Sequence, residues 1–142
     1  LVVDDDRLYA ESVRDYLSDF EMDVSVAHTV GAAKILCNHK SFDVILLDNK
    51  LPDGNGLELI PQVLQINDRS KIILATAFPS FDNAVLALKN GVYDYISKPI
   101  DLDELQATIN RAIHTSNLEA VEQVERYHKN KEKQSTSLIG EG

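Results

Sequence analysis

The chain has no tryptophan, one methionine and, among its 142 residues, a single cysteine, Cys37. One cysteine cannot close a disulfide framework, and such sparse use fits a reducing cytoplasm. Four prolines and six glycines are too few for a low-complexity or collagen-like chain. Long apolar runs are missing too: no stretch approaches the roughly 18 residues that span a bilayer, and no signal-peptide pattern is present. Positive charge is in deficit, with 14 Lys and Arg against 23 Asp and Glu and a formal net charge of −9. Nucleic-acid phosphates and anionic lipids repel such a chain, so direct contact with either is not expected. There is no G-x-x-x-x-G-K-[ST] phosphate loop and no evident helix-turn-helix.

What is present is a foldable chain. Apolar residues make up 44%, ordinary for a globular domain, and the length suits one domain with an appendage. It opens at Leu1 inside an apolar run and closes on SLIGEG, which reads as a fragment of a longer protein. Short apolar runs alternate with amphipathic stretches. LVV at 1–3, DVSVA at 23–27, DVILL at 43–47, KIILAT at 71–76 and VYDYI at 92–96 read as strands. Helices are expected at 7–20, with Leu8, Val13, Leu17 and Phe20 near helical spacing; across Val30, Ala33, Leu36 and Cys37; from Leu57 to Gln65; and at 81–90. Gly91 can cap the fourth of these, PDGNG at 52–56 is a turn, and Asp101 is the expected N-cap of a last helix from Leu102. The alternation implies an α/β fold: a five-stranded parallel sheet with helices on both faces, flavodoxin-like and doubly wound, plus a C-terminal linker helix.

In such a sheet the functional crevice lies at the carboxyl ends of the strands. The residues expected there are Asp4, Asp5 and Asp6 after the first strand, Asp48 after the third, Thr76 ending the fourth, and Lys98 and Pro99 after the fifth. Singly, each has an ordinary structural explanation. Asp6 suits an N-cap, Asp4 and Asp5 a solvated loop, Thr76 a β-branched strand position, and Lys98 a surface site. Their convergence from four segments is what those explanations do not cover. Two carboxylates about 4 Å apart repel by roughly 4 kcal/mol at an effective dielectric near 20. Three stay ionised together only with cations: Lys98 supplies one charge, and an oxygen-only site suits Mg²⁺ or Mn²⁺ for the rest.

LVVDDD, VILLDNKLPDGNGLEL, LATA and YDYISKP occur in order, and over about residues 1–117 the chain resembles the receiver domain of two-component response regulators. The resemblance implies that Asp48 accepts a phosphoryl group from a phosphohistidine on a partner sensor kinase. It implies Mg²⁺ held by Asp5, Asp48 and the Lys50 backbone carbonyl, with Asp4 acting through water. Lys98 would pair with Asp48 and then with the phosphoryl oxygens, Thr76 would donate its hydroxyl to the phosphate, and Thr76 and Tyr95 would form the switch. A cis Lys98–Pro99 bond fits the family. Lys50 and Phe78 would flank the path of the hydrolytic water, and their bulk implies a long-lived phosphorylated state.

Beyond Ala112 the composition turns charged and helix-friendly. Ile113, Asn117, Ala120, Val124 and Tyr127 follow a 4-3-4-3 spacing, so 118–137 reads as a helical linker able to form either a thin coiled-coil seam or a solvated helix, with a loop at QSTS, 134–137. Residues 138–142 resemble the opening of the central ATPase domain of sigma-54-dependent activators of the nitrogen-regulator C type. That implies missing ATPase and DNA-binding parts, and a homodimer through the 81–90 helix, the 92–96 strand, the 102–117 helix and the linker. Two other classes compete: a receiver-like docking module that never takes phosphate, and a haloacid-dehalogenase-type phosphatase. The first would be expected to lack one of the charged residues, and the second needs an acidic residue where Lys50 stands. A flavin-binding module would need a phosphate-cradling loop where Asp4 to Asp6 lie.

Overall fold

The alternating pattern folds as a doubly wound sheet in the computed structural model, which describes residues 1–141, with side chains described as far as Lys129. In chain order the elements are β1 (Val2–Val3), α1 (Arg7–Ser18), β2 (Val26–Ala27), α2 (Val30–His39), β3 (Val44–Asp48), the strand pair β4 (Lys50–Leu51) and β5 (Gly54–Asn55), a 3-10 turn (Gly56–Leu59), α3 (Ile60–Ile66), β6 (Lys71–Thr76), α4 (Phe81–Lys89), β7 (Asp94–Ser97) and α5 (Leu102–Glu141). Five strands form a parallel sheet in the order β2-β1-β3-β6-β7. The order reverses direction between β1 and β3, so their carboxyl ends flank the switch point where such sheets place a ligand.

Strand alternation splits the core in two. Ile45 and Leu47 of β3 and Ile72 and Leu74 of β6 face the side covered by α2, α3 and α4. Leu46, Ile73 and Ala75 face α1 and α5, where Val13, Leu17, Leu105 and Ile109 pack. With both faces covered, the central strands are apolar at nearly every position, the mark of a buried parallel sheet. On α1 the buried stripe is Ala10, Val13 and Leu17, whereas Leu8 is 79% and Phe20 44% exposed. The expected stripe therefore holds only at its centre: Leu8 lies on the outward face, and Phe20 falls beyond the helix end.

The local signals mostly act as expected. Asp6 caps α1 by accepting from Tyr9 N–H at 3.1 Å, and Asp101 accepts from the N–H groups of Asp103 and Glu104 at 2.8 and 3.3 Å. Lys98–Pro99 is cis. Strand boundaries shift, β2 being confined to Val26–Ala27 and β7 lying two residues later at its start than the apolar run. The PDGNG turn is an antiparallel hairpin, Lys50 pairing with Asn55 and Leu51 with Gly54. The helix expected from Leu57 opens as a 3-10 turn and becomes α-helical only at Ile60, beside Pro61 in its first turn, where proline's missing N–H costs nothing.

The last helix, at 40 residues, is far longer than covering the sheet requires. Leu105, Ile109 and Ala112 bury one face, and Lys71 pairs with Glu119 at 2.7 Å. Ile113, the first residue of the linker seam, packs against the domain's own core. Beyond it Leu118, Val121, Val124 and Tyr127 are each more than half exposed. The helix takes in residues 134–137, where a loop was expected, since no proline or glycine interrupts 113–139. The reading of 138–142 as the start of another domain rests on side chains outside the described residues.

Gly91 ends the α4 segment at φ +96°, and a Cβ there would lie 3.0 Å from Leu64 Cδ1. Gly91→Ala is expected to destabilise the domain by about 1–2 kcal/mol, the cost of a left-handed L-residue, read as a lower urea midpoint with an unchanged m-value.

Candidate functional site

Asp4 and Asp5 follow β1, and Asp48 is the last residue of β3. The adjacency of these strands brings a ligand oxygen from each of the three carboxylates within 4.8 Å of the others. Asp4 is buried, Asp48 half-buried and Asp5 exposed. Across the cluster Lys98 Nζ lies 2.6 Å from Asp4 Oδ2 and 3.4 Å from Asp48 Oδ2. Its third side faces the Tyr9 ring, with the ammonium 5.0 Å from the centroid. One cation is thus held between two carboxylates and an aromatic face, largely out of water.

Backbone bonds hold the lysine and the threonine in place. Lys98 N–H donates to the Thr76 carbonyl at 2.8 Å. The Thr76 hydroxyl is buried and accepts from Phe78 N–H at 3.1 Å, which leaves its own proton available to donate. Asp4 Oδ1 accepts from Asp6 N–H at 2.9 Å, and Asp48 Oδ1 from Lys50 N–H at 3.4 Å. Gly56 has no room for a side chain, since a Cβ there would lie 2.2 Å from the Asp48 carbonyl oxygen. Tyr95, on β7, packs against the α2–α4 core, and its hydroxyl accepts from Ser80 N–H at the start of α4 at 3.3 Å. Lys50 is exposed on the hairpin, with its ammonium 5.2 Å from the centroid of Phe78, itself 71% exposed.

Electrostatics set the protonation of the pair. Burial pushes the Asp48 carboxyl above the ordinary carboxylate range, Lys98 opposes the rise, and Asp4 adds to it. Burial alone would lower the Lys98 ammonium, but the hydrogen bond and charge of Asp4, then the charge of Asp48, raise it instead. The donor set is oxygen throughout and its net charge exceeds what Lys98 balances, so these residues fit a hard divalent cation such as Mg²⁺.

Comparison with known proteins bears directly on this arrangement. Residues 1–110 match the response regulator receiver domain. The chain belongs to the response regulator receiver domain family. It is 35% identical over 122 residues to the response regulator protein PilR of Pseudomonas aeruginosa, which covers 86% of this chain and 27% of PilR. The chain thus spans about a quarter of the length of that curated relative. Among solved structures it resembles a CheY-like receiver domain protein from Methanospirillum hungatei, with a TM-score of 0.80, 30% identity, and coverage of 83% of this chain and 94% of that one. It also resembles the beryllofluoride-activated NtrC4 receiver domain dimer, with a TM-score of 0.76, 30% identity, and coverage of 81% and 95%.

The fold therefore gathers Asp4, Asp5, Asp48, Thr76 and Lys98 of the receiver domain at one edge, with Lys50 on the adjoining hairpin. Tyr95 points to the start of α4. Tyr9 and Gly56 were missed by reading the sequence. Tyr9 carries no motif of its own in the sequence, and the need for Gly56 arises only once the hairpin folds back onto Asp48.

A raised carboxylate pKa makes the sign of its stability contribution plain. Between the unfolded value and the higher folded one, the native state binds more protons, so stability falls as pH rises through that window. Asp48→Asn is therefore expected to raise the metal-free Tm at pH 7 by a few degrees, with the advantage vanishing below the carboxylate range. Millimolar Mg²⁺ should raise the wild-type Tm and leave that of Asp48→Asn unchanged. Differential scanning fluorimetry across pH, with and without chelator, reads both effects.

Proposed function

We propose that this receiver domain takes a phosphoryl group on Asp48 from a phosphohistidine of a sensor kinase in a Mg²⁺-dependent reaction. The observation that carries the reading is Lys98 Nζ at 2.6 Å from Asp4 and 3.4 Å from Asp48, inside a cluster of three acidic residues. Asp5, Asp48 and the Lys50 carbonyl would hold Mg²⁺, or Mn²⁺, with Asp4 acting through water. When bound, the metal supplies neutralisation of the charge that gathers on the transferring group and its acceptor.

The chain's own residues do the rest. Asp48 offers its carboxylate oxygen, and Lys98 shifts from sharing two carboxylates to meeting the new phosphoryl oxygens. Thr76 directs its free proton toward the same group. Its movement leaves room for Tyr95 to turn, and that breaks the hydroxyl's bond to Ser80 N–H and changes the surface around α4. The domain is an acceptor with at most slow self-dephosphorylation, not a turnover enzyme: Lys50 stands where a haloacid-dehalogenase-type site needs an acidic group. A docking module that never takes phosphate has no need of an intact acidic edge with its lysine.

The chain matches about a quarter of a response regulator protein and of a transcriptional regulatory protein, which supports a place within a longer transcription regulator; the reading takes that regulator to be a sigma-54-dependent activator acting in the cytoplasm. In that protein α4, β7, α5 and the linker would mediate homodimer contacts, and phosphorylation would control a downstream ATPase and DNA-binding part. The described residues contain no helix long and apolar enough to cross a membrane.

Acetyl phosphate plus Mg²⁺ is expected to add one phosphoryl mass to the wild type and none to Asp48→Asn, read by intact mass spectrometry, with light scattering on the same samples reporting any change of oligomer. Labelling of Asp48→Asn at that locus would refute the assignment. The Lys50–Phe78 contact should also shield the acyl phosphate from water. Phe78→Glu removes the ring and introduces a group that can orient water, so the phosphoryl half-life of the variant should shorten. A half-life equal to or longer than that of the wild type would reject the shielding role.

A further inference from the structure

The hairpin that follows Asp48 is pinned from outside. At its tip, Asp53 Oδ1 accepts from Val30 N–H at 2.8 Å and Oδ2 from Gly31 N–H at 2.9 Å. Both amides belong to the first turn of α2, where N–H groups have no intrahelical acceptor. Local capping satisfies the next two: Ala32 N–H donates to Thr29 Oγ1 at 3.0 Å and Ala33 N–H to the Thr29 carbonyl at 3.1 Å. The first two are met by a carboxylate 22 and 23 positions away along the chain. These bonds are charge-assisted and lie where a helix favours an anion. They hold the Asp53 carboxyl below its ordinary range, the Gly31 bond first and the Val30 bond second.

The same stretch of chain reaches the acidic edge at its other end. His28 Nδ1 lies 2.8 Å from the Asp4 carbonyl oxygen. Residues 28–31 therefore link the segment after β1, which carries Asp4 and Asp5, to the hairpin after β3, which follows Asp48. The base of the hairpin is tied as well, by Gly56 N–H donating to the Asn49 carbonyl at 2.9 Å and by Lys50 N–H to Asp48 Oδ1 at 3.4 Å.

We propose that Asp53 is a positioning residue that braces the hairpin against α2 and so sets the affinity of the acidic edge for a divalent cation. The inference rests on the reading of that edge as a cation-assisted phosphoacceptor. Three carboxylates repel one another, and Lys98 pairs with two of them. Asp48 is fixed in β3 by its pairing with Ala75, so a hairpin free to move carries the Lys50 carbonyl away from Asp5 and Asp48. A cation must then gather its ligands at the moment of binding, and part of its affinity is lost to that ordering. The Asp53 clamp does this ordering in advance, from a position that touches neither phosphate nor metal.

The test is titration of the chelator-treated full chain with MgCl₂ by isothermal calorimetry, with Asp53→Ala, Asp53→Asn and the core control Ile45→Val. Outer-shell supports of metal sites typically account for 10- to 100-fold in affinity. Asp53→Ala is expected to weaken Mg²⁺ about tenfold. Asp53→Asn, which keeps one acceptor oxygen, should weaken it about fivefold. Ile45→Val lowers Tm and leaves the Kd as it was. In NMR spectra the amide protons of Val30 and Gly31 should shift upfield in Asp53→Ala. A Kd for Asp53→Ala within twofold of wild type, whatever the loss of Tm, overturns the brace and leaves Asp53 a helix cap alone. Should that variant fail to fold, the same criterion applied to Asp53→Asn decides. A wild type that binds no Mg²⁺ at all instead overturns the underlying reading of the acidic edge, and the brace with it.

Discussion

Lys98 sits 2.6 Å from Asp4 and 3.4 Å from Asp48, and the acidic edge depends on that ammonium. Without it, a buried and a half-buried carboxylate would face each other at the mouth of the sheet. Desolvation and mutual repulsion would then drive one of them to protonate. With it, the two carboxylates share one ammonium, which offsets one of the three formal charges of the acidic cluster. Burial still raises the Asp48 carboxyl, and Lys98 opposes that rise.

The fold serves that balance by making backbone do the positioning. The adjacency of β1 and β3 sets Asp4 and Asp5 beside Asp48, and pairing of β6 with β7 places Lys98 near Thr76. Around this frame, capping bonds that look local join distant parts of the chain. Asp53 caps α2 from the hairpin, and Tyr95 reaches the start of α4 from β7. The first ties the hairpin after Asp48 to α2, and the second ties β7 to the start of α4. The long α5 is held to the sheet by the pair of Lys71 and Glu119.

Much of this was legible before any coordinates. Runs such as KIILAT had the strand limits they have in the structure, because a strand buried on both faces is apolar at every step. The caps at Asp6 and Asp101 acted as their side chains dictate. Less legible were features with weak local signals. The stripe on α1 was misread at Leu8 and Phe20, since spacing alone cannot tell which apolar residues face the core. PDGNG announced a turn but not the hairpin pairing that carries Lys50 and Asp53. Tyr9 gave no sign that its ring would cover Lys98.

Composition and order of residues determined the alternating layers, the parallel sheet and the set of chemical groups at its carboxyl edge, because burial period and helix capping are local properties of the chain. Tertiary structure alone decided which carboxylate the lysine holds more closely, which orphan amides Asp53 satisfies, and that Gly56 admits no side chain. The first two are distances between segments far apart in the chain, and the third is set by how the hairpin folds back on the end of β3. Strand order in the sheet and the folding of the hairpin against it set them together.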